Sequence, residues 1–345
     1  MSELPFVSVV IPCRNEFKYI AGLLDSIVTQ DYPKEKLEII IADGMSDDGT
    51  RNIIKEYSEK YQYIKLIDNE KKIVPTALNK AIKMSIGEII IRLDAHSIYP
   101  NNYFSKLVEV SESTGADNVG AMWETCPGND TLKAKAIAIA MSHPFGVGGA
   151  TYRIPTTKTE PFEVDTVPFG CYKRSVFEKI GYYDETMLCN EDNDFNDRLL
   201  KSGGKILLIP TLKIKYFARE NYTKLWKMFW RYAYFMPYVN KKLCIKTRLS
   251  RYIPSLFVLS LILPSIYGLK KRRSLLVSLI SLSMYMTVNV GVSLNLGKKN
   301  IKLFSLTMAA FDVMHIAYGL GYLFGWFNFV FLGNEPKQKI LDINR

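Results

Sequence analysis

Short apolar runs and amphipathic stretches alternate over the first hundred residues. Four runs have the length and β-branched composition of buried strands, and three stretches between them carry apolar side chains at helical spacing. Strands that alternate with helices predict βαβ units and a mostly parallel sheet, so we expect an α/β fold. The runs are residues 7–12, 37–42, 64–67 and 88–93, and the helical stretches are residues 19–30, 50–60 and 74–84.

Polar residues cluster directly after three of these strands. They are residues 13–16 after the first, residues 43–49 after the second, and residues 94–96 after the fourth. Ligands of parallel sheets collect at the carboxyl ends of the strands. The sequence therefore predicts a binding site at this edge of the sheet.

Asp43 follows a buried strand within a loop rich in Gly and Ser. A carboxylate there can accept hydrogen bonds from a nucleotide base or ribose. Asp47 and Asp48 stand just before a helix, where capping is the favoured interpretation. For Asp43, the local pattern leaves both a ligand role and a capping role open.

Asp94 and His96 also follow a buried strand. Alternate side chains of an extended segment point the same way, so these two can converge on one ion. Oxygen donors suit hard divalent cations, and Mn²⁺ also accepts imidazole. The alternative is an ordinary surface turn, because a single Asp-x-His is common in unrelated chains.

Four acids, Glu191, Asp192, Asp194 and Asp197, lie at the start of another predicted helix. Acids are favoured there by the helix dipole, which is a purely structural explanation. A general base facing a hydroxyl group is the functional one. Position alone favours the structural explanation.

The net charge of +11 is unevenly distributed. Residues 1–240 hold 30 Lys and Arg against 31 Asp and Glu, whereas residues 241–345 hold 15 against 3. Because the basic excess lies between apolar segments, it favours an anionic membrane surface over nucleic acid. We therefore expect a first domain over residues 1–240 and a basic, apolar membrane region over residues 241–345.

Three apolar segments follow, at residues 253–269, 275–296 and 303–332. The second is long enough to cross a bilayer, and the third is expected to cross over residues 303–325. Three crossings would leave eight cations inside and seven outside. If the first segment, which contains two prolines, is instead re-entrant or interfacial, twelve cations lie inside and three outside. The positive-inside rule favours this second arrangement.

Other features bear on the cellular compartment. An aromatic run with interleaved cations at residues 224–235 fits the membrane interface better than nucleic-acid stacking. Asp312 and His315, three residues apart, are expected to satisfy each other within the third apolar segment. Five scattered cysteines favour a reducing compartment, and residues 1–5 have no signal-peptide character. The first domain is therefore expected in the cytosol.

Four motifs in order carry a family resemblance: residues 7–16, 41–50, 92–96 and 190–194. In sequence and spacing they resemble family 2 inverting glycosyltransferases, which have a GT-A fold, a Rossmann-like domain with a mostly parallel sheet. The Asp94-Ala-His96 variant, together with residues 142–149 and the membrane tail, is most similar to succinoglycan-type exopolysaccharide glucosyltransferases.

The resemblance implies roles for matching residues that bind the nucleotide sugar. Pro12, Arg14 and Glu16 would line the nucleotide pocket, and Asp43 would contact the base. Asp94 would contact the ribose or the metal-bound diphosphate.

It also implies the catalytic and acceptor residues. Asp192 would be the catalytic base, and Glu191 and Arg231 would contact the acceptor or the diphosphate. His96 replaces the usual second acid of the metal motif, so Asp94 and His96 would hold Mn²⁺ or Mg²⁺.

The implied function is transfer of a sugar from a nucleotide-diphosphate sugar, with a UDP-sugar favoured, to a polyprenyl-linked saccharide. The product would be an exopolysaccharide or cell-surface glycan. The expected location is the cytoplasmic membrane, in contact with lipids, with the catalytic domain facing the cytosol and no nucleic-acid partner. Two alternatives are transfer onto polyprenyl phosphate itself and a non-catalytic membrane scaffold.

Overall fold

The computed structural model describes residues 3–244, 249–268, 272–297 and 300–336. Internal contacts divide the chain into two compact units. The first unit comprises residues 1–124 and 154–216, and the second comprises residues 125–153 and 217–345. The domain boundary expected near residue 240 from the change in charge lies inside the second unit. The two units therefore do not coincide with the two domains that the sequence predicts.

The first unit begins with the alternating strands and helices that the sequence predicts. Buried β-branched runs form the strands, and amphipathic stretches form the helices between them. Each expected element is present within two residues of its expected bounds. The elements are β1 (Val7–Cys13), α1 (Ile20–Val28), β2 (Leu37–Asp43), α2 (Thr50–Lys60), β3 (Ile64–Asp68), α3 (Val74–Met84) and β4 (Ile89–Arg92).

Shorter strands and irregular connections follow. The helix predicted after the acidic cluster is present as α8. The elements are β5 (Ser97–Ile98), α4 (Tyr103–Thr114), β6 (Asn118–Cys126), α5 (Leu132–Ala140), α6 (Pro144–Val147), β7 (Phe162–Glu163), β8 (Cys171–Lys173), α7 (Arg174–Ile180), α8 (Glu191–Lys201) and β9 (Ile206–Phe217).

Nine strands in the described residues form one sheet in the order β3-β2-β1-β4-β8-β6-β9-β5, with β7 paired to β9. β1 is parallel to both β2 and β4, and β2 is parallel to β3. β4 is antiparallel to β8, so the pairing direction changes at β4. The α/β fold class is confirmed, and the parallel part of the sheet is formed by β1 to β4.

Strand register brings the carboxyl ends of the central strands together. Cys13 at the end of β1 lies opposite Asp43 at the end of β2. Val10 of β1 lies opposite Arg92 at the end of β4. Every residue of β2 and β4 is buried, which explains why both read as continuous apolar runs.

Within the described residues, the second unit is mainly helical beyond residue 221. Each of the three apolar segments contains a helix close to its expected bounds, although Leu269 lies outside the described residues. Most of the lysines and arginines counted for the two possible membrane arrangements also lie outside the described residues. The helices are α9 (Tyr222–Leu243), α10 (Ile253–Gly268), α11 (Leu275–Gly297) and α12 (Ile301–Gly325), which continues as a π-helix over Trp326–Phe331.

Two helical segments in the described residues, Arg272–Gly297 and Ile301–Phe331, are long and apolar enough to cross a membrane. Ile253–Gly268 is shorter. An apolar helix buried inside a protein meets the same criteria of length and composition. These helices indicate membrane association, and packing must distinguish a span from a core helix.

Asp312 and His315 are linked through a third side chain. The hydroxyl of Tyr285 on α11 donates to Asp312 Oδ1 at 3.0 Å and lies 3.0 Å from His315 Nδ1. Asn289 Nδ2 also donates to Asp312 Oδ1, at 2.8 Å. Both side chains therefore contact Tyr285 of α11, whereas the sequence predicts that Asp312 and His315 satisfy each other directly.

Candidate active site

The loops after β1 and β2 are joined by hydrogen bonds. The Asn15 amide donates to Ser46 Oγ at 2.8 Å, and the Asp47 amide donates to Asn15 Oδ1 at 3.1 Å. The Glu16 amide donates to Thr50 Oγ1 at 2.9 Å. Asn15 adopts a left-handed backbone with φ of 54°, a conformation that Asn tolerates better than most residues. The two loops therefore form one wall.

The three residues predicted to line a nucleotide pocket lie along this wall. Pro12 is half-buried near the end of β1, Arg14 is exposed, and Glu16 is buried. The side chain of Arg14 packs over Gly44, where an added Cβ would lie 3.1 Å from it. Gly44 therefore leaves the space that the Arg14 side chain occupies.

Asp43 is fully buried and makes several contacts. Its carboxylate accepts hydrogen bonds from the amide and the hydroxyl of Ser46 and from Arg51 Nη1 at 2.7 Å. Arg51 also bonds Asp68 at 2.7 Å, and Asp68 is the last residue of β3, directly opposite Asp43 in the strand register. Asp43 thus holds its own loop in place, and its contact with a base stays a prediction.

Asp48 has a local structural role just before α2, although the N-cap residue of that helix is Gly49. Its Oδ1 accepts a hydrogen bond from the Thr50 amide at 3.0 Å, at the start of α2. Its Oδ2 accepts one from the Phe17 amide at 3.1 Å. Burial opposes the charged form, but these donors lower the pKa of Asp48 below its ordinary value.

Asp94, His96 and Glu16 meet at the same edge. His96 Nδ1 lies 2.7 Å from Asp94 Oδ1 and 3.9 Å from Glu16 Oε1. The imidazole is buried against the ring of Tyr216, whereas the Asp94 side chain is 21% exposed. Asp94 and His96 therefore lie close together, as the sequence predicts, and the Asp94 carboxylate is partly exposed to solvent.

The buried thiol of Cys13 lies among these acids. Burial raises its pKa, and the negative charges of Glu16, Asp43 and Asp94 raise it further. Asp43 lies opposite Cys13 in the strand register, and Glu16 and Asp94 lie beside His96. The carboxyl ends of β1, β2 and β4 therefore place three of the predicted acids at the same edge of the sheet.

Arg92 joins this edge to α8. Its guanidinium is buried, Nη2 lies 2.9 Å from Glu191 Oε1, and Nη1 contacts Asp192 Oδ1. It also lies over the ring of Tyr183, with 5.6 Å to the ring centroid. Burial opposes the charged form, but Glu191 stabilises it more, so the pKa of Arg92 is raised. Arg92 therefore remains a cation at every working pH.

The acidic residues at the start of α8 lie in different environments. Asn190 precedes the helix in a left-handed conformation, with φ of 63°, and Glu191 and Asp192 form the first turn. Asp194 is buried and pairs with Arg198 at 2.9 Å, which is a structural role. Asp192 keeps 22% of its side chain exposed beside Arg92. Glu191 and Asp192 are thus both held by Arg92 and partly exposed, and Asp192, at 22% against 14%, is the more exposed of the two.

The first unit therefore brings together eight predicted residues. Six lie at the ends of β1, β2 and β4, and two lie on α8 next to Arg92. Arg231 belongs to α9 of the second unit. The eight are Pro12, Arg14, Glu16, Asp43, Asp94, His96, Glu191 and Asp192.

The donor set at Asp94 and His96 can be compared with the needs of a divalent cation. Within the described residues, no group of three or more His, Cys, Asp and Glu side chains is placed to hold a metal. Asp94 and His96 offer one carboxylate and one imidazole at a single point. This set fits a cation whose other positions are filled by phosphate oxygens and water.

Sequence reasoning missed several residues that build the site. Arg92 is the most important, and its signal is a cation at the end of an otherwise apolar buried strand. Asn15, Ser46 and Arg51 fix the two loops but read as ordinary loop and helix residues. Their partners lie in other elements, so spacing alone does not identify them.

A parallel half-sheet with acids at its carboxyl edge, joined to an antiparallel half, is the architecture of GT-A glycosyltransferases. Residues 8–181 match the family described as glycosyl transferase family 2, which is half of the chain. The chain belongs to this family.

Two relatives show the extent of the similarity. The succinoglycan biosynthesis protein ExoA of Rhizobium meliloti is 33% identical over 226 residues, covering 65% of this chain and 66% of that protein. A dolichyl N-acetyl-alpha-D-glucosaminyl phosphate 3-beta-D-2,3-diacetamido-2,3-dideoxy-beta-D-glucuronosyltransferase of Methanococcus voltae is 30% identical over 227 residues, covering 64% and 69%. The matched part thus spans about two thirds of both relatives.

Solved structures share the fold. The mannosyltransferase PcManGT of Pyrobaculum calidifontis, in complex with GDP-Man and Mn²⁺, has a TM-score of 0.58 at 17% identity, covering 92% of this chain and 88% of that one. Residues 1–349 of S. aureus TarS, in complex with UDP-GlcNAc, have a TM-score of 0.51 at 18% identity, covering 92% and 90%. At these identities the similarity establishes the fold.

Proposed function

We propose that this protein is an inverting glycosyltransferase that moves a sugar from a nucleoside diphosphate sugar to a membrane-linked saccharide, in exopolysaccharide or cell-surface glycan synthesis. The observation that carries the proposal is the contact of Arg92 with Glu191 and Asp192. It joins a partly exposed carboxylate to the end of β4, two residues before Asp94. A donor site and a base for the acceptor are therefore held on one framework.

The donor binds at the joined loops after β1 and β2. Pro12, Arg14 and Glu16 line the nucleotide pocket, and Asp43 accepts a hydrogen bond from the base. Asp94 contacts the ribose or the diphosphate. The supporting evidence is that β1, β2 and β4 end at the same edge, where parallel sheets bind ligands.

Asp94 and His96 would hold a divalent cation, Mn²⁺ or Mg²⁺. When bound, it supplies positive charge that stabilises the leaving nucleoside diphosphate. The donor set of these two residues supports this assignment, as does the Mn²⁺ in the PcManGT complex.

Asp192 acts as the catalytic base. A sugar hydroxyl is a poor nucleophile at neutral pH until a carboxylate takes its proton during attack. Such a base contributes about 10²–10⁴-fold in rate. The hydroxyl attacks the anomeric carbon opposite the leaving diphosphate, so one displacement inverts the configuration and needs no covalent intermediate.

The acceptor is a saccharide on a polyprenyl carrier, contacted by Glu191 and Arg231. The named activity of the Methanococcus voltae relative on a dolichyl-linked sugar phosphate supports this class of acceptor. The apolar helices of the second unit support a location at the cytoplasmic membrane. The catalytic unit faces the cytosol, where nucleotide sugars are made.

The test uses full-length protein in lipid nanodiscs, a panel of UDP- and GDP-sugars, and two acceptors, polyprenyl phosphate and polyprenyl diphosphate saccharide. We expect transfer from a UDP-sugar to the saccharide. Asp192→Asn should abolish transfer while the protein still binds UDP. Glu178→Gln, which changes an exposed acid on α7, serves as the matched control and should keep full activity.

Three results would contradict parts of the proposal. Transfer only to polyprenyl phosphate would overturn the acceptor assignment. Full activity of Asp192→Asn would overturn the base assignment. Failure of every nucleotide sugar to bind or react would leave a non-catalytic scaffold as the better explanation.

A further inference from the structure

Helix α9 packs against α12 at van der Waals distance between the two backbones. Gly321 faces the backbone of Trp230, and Gly325 faces that of Tyr234. A Cβ added to these glycines would lie 2.6 Å and 2.0 Å from the two carbonyl oxygens. No larger residue fits at either position, so the two glycines, four residues apart, permit this approach.

Hydrogen bonds from side chains of α9 join the two helices on either side of this close contact. Near the start of α12, the hydroxyl of Tyr222 donates to the carbonyl oxygen of Leu306 at 2.8 Å. Beyond its end, Lys241 Nζ donates to the carbonyl oxygen of Phe329 at 2.8 Å. The two helices run in the same direction, and the pairs Trp230–Gly321 and Tyr234–Gly325 place α9 beside the second half of α12.

Another side of α12 is covered by residues 125–153. Helix α5 packs against it, and the carbonyl oxygen of Phe145 lies 2.7 Å from His315 Nε2. The ring of Phe145 meets that of Phe311 with centroids 5.0 Å apart. Protein thus covers the middle of α12, where lipid would surround an ordinary span.

Burial separates α12 from α11. Over the most apolar 18 residues of each segment, 39% of the residues are buried in Ile301–Phe331, which contains α12, against 6% in Arg272–Gly297, which contains α11. Between residues 306 and 323, every residue of α12 is buried or half-buried. A helix that faces lipid leaves apolar side chains exposed in the isolated protein, and α11 does so.

The charges on α9 decide between the two arrangements. Lys224, Lys227 and Arg231 lie in the part of α9 that runs beside α12, and Lys227 is exposed. If α12 crossed the hydrocarbon core, α9 would cross with it and carry these cations inside. Charged side chains at that depth are costly and rare.

We infer that α12 does not cross the membrane and is the core helix of the second unit, with both its ends on one face of the bilayer. The sequence predicts a crossing over residues 303–325, because length and composition do not distinguish a core helix from a span. The bilayer instead contacts the outer face of α10 and α11.

The α10–α11 pair has the surface that a bilayer requires. Its polar contacts face inward: Ser265 Oγ and Ser278 Oγ are 3.1 Å apart, and Ser278 also donates to the carbonyl oxygen of Leu261 at 3.0 Å. Its outer face is apolar. The exposed residues there include Leu256, Leu263, Leu276, Ile280, Met284 and Val288.

Basic residues flank this apolar face. Arg272 and Arg273 precede α11, and Lys302 lies at the start of α12. Cations at the ends of an apolar surface favour anionic lipid headgroups. Lipid is therefore the occupant that fits both the apolar area and its charged margins.

The test places single cysteines in full-length protein that carries Cys244→Ser, since Cys244 is exposed. Ser305→Cys marks the start of α12, Asn334→Cys marks the chain beyond its end, and Met284→Cys marks the outer face of α11. Sealed inside-out and right-side-out vesicles are treated with a membrane-impermeant maleimide. We expect positions 305 and 334 to be labelled in the same vesicle orientation, and position 284 only after detergent is added.

Labelling of positions 305 and 334 from opposite sides would overturn the inference. Labelling of position 284 without detergent, in either orientation, would overturn the assignment of the lipid-facing surface. Protein with native Cys244 reports the side on which α9 ends, and it should match 305 and 334. Lys302→Cys and Glu335→Cys replace the first two variants if either fails to fold.

Discussion

The guanidinium of Arg92 contacts the carboxylates of Glu191 and Asp192, which lie 99 and 100 residues further along the chain. Arg92 is the last residue of β4, and the two acids form the first turn of α8. One buried cation therefore fixes the distance between the strand edge and the helix. The position of Asp192 depends on Arg92 as much as on α8.

Replacing Arg92 should affect turnover more than donor binding. Lys keeps the charge but cannot reach both acids in the planar geometry of a guanidinium. A misplacement of Asp192 by about 1 Å should lower kcat about 100-fold, with KM for the donor changed less than threefold. Steady-state kinetics of Arg92→Lys measure this split.

The control for Arg92 is another ion pair of the same unit, in which the carboxylate is buried and the arginine is partly exposed. Arg198→Lys weakens the pair with Asp194, so it should lower the midpoint of thermal unfolding and leave kcat unchanged. Equal losses of kcat in both variants would mean that Arg92 has only a structural role.

Asp43→Asn should weaken donor binding and destabilise the first unit. The substitution removes a buried charge that accepts hydrogen bonds from Arg51 and Ser46, which costs about 1–3 kcal/mol of folding free energy. Calorimetric titration with UDP measures the affinity. Asp68→Asn changes the other, more exposed partner of Arg51 and should have a smaller effect on both quantities. Unchanged UDP affinity in Asp43→Asn would exclude Asp43 from the nucleotide site.

His96 should set the preference between divalent cations. Chelation should remove activity, and Mn²⁺ should restore it better than Mg²⁺, because imidazole suits Mn²⁺. His96→Asp supplies an oxygen donor instead, so the preference should move towards Mg²⁺. Mn²⁺ binding in the presence of UDP, followed by electron paramagnetic resonance, checks this independently of turnover. Unchanged Mn²⁺ affinity in His96→Ala would contradict the assignment.

Glu38 should make folding stability depend on acidic pH. Burial raises the pKa of this carboxyl, but hydrogen bonds from Ser8, the Ile86 amide and Lys65 outweigh that effect and lower it below its ordinary value of 4.5. The stabilisation is therefore present above about pH 4.5 and is lost as pH falls through the lowered pKa. Thermal unfolding midpoints measured from pH 7 to pH 3 should fall less steeply for Glu38→Gln, which is also less stable at pH 7. Parallel curves would contradict this.

Gly325→Ala should destabilise the second unit. The added methyl group would meet the carbonyl oxygen of Tyr234, and such overpacking costs about 1–3 kcal/mol. Gly291→Ala on α11 is the matched control, since nothing lies within 4 Å of its added Cβ. Alanine's helix propensity should leave that variant unchanged or slightly more stable. Unfolding midpoints in detergent compare the two, and equal midpoints would argue against close α9–α12 packing.

Much of the first unit could be predicted because its elements are defined locally. The apolar runs of β1, β2 and β4 are buried on both faces, and the helices between the strands show clear periodicity. Three of the antiparallel strands are different, because β5, β7 and β8 contain only two or three residues each. Such short strands are defined by their neighbours in the sheet, which spacing along the chain does not reveal.

The candidate site divides in the same way. Asp43, Asp94 and His96 could be found because each follows a buried strand. Arg92 could not be given a role, because its partners lie about a hundred residues away. Similarly, the sequence of α12 does not reveal that α9 covers it.

Glu16 and Asp94 lie beside the same imidazole, and this crowding of negative charge has a thermodynamic consequence. A diphosphate that arrives alone meets repulsion from both acids, whereas a divalent ion between them reverses the sign of the local field. Nucleotide and ion should therefore bind cooperatively. Linkage makes this cooperativity reciprocal: the factor by which the ion tightens nucleotide binding equals the factor by which the nucleotide tightens ion binding.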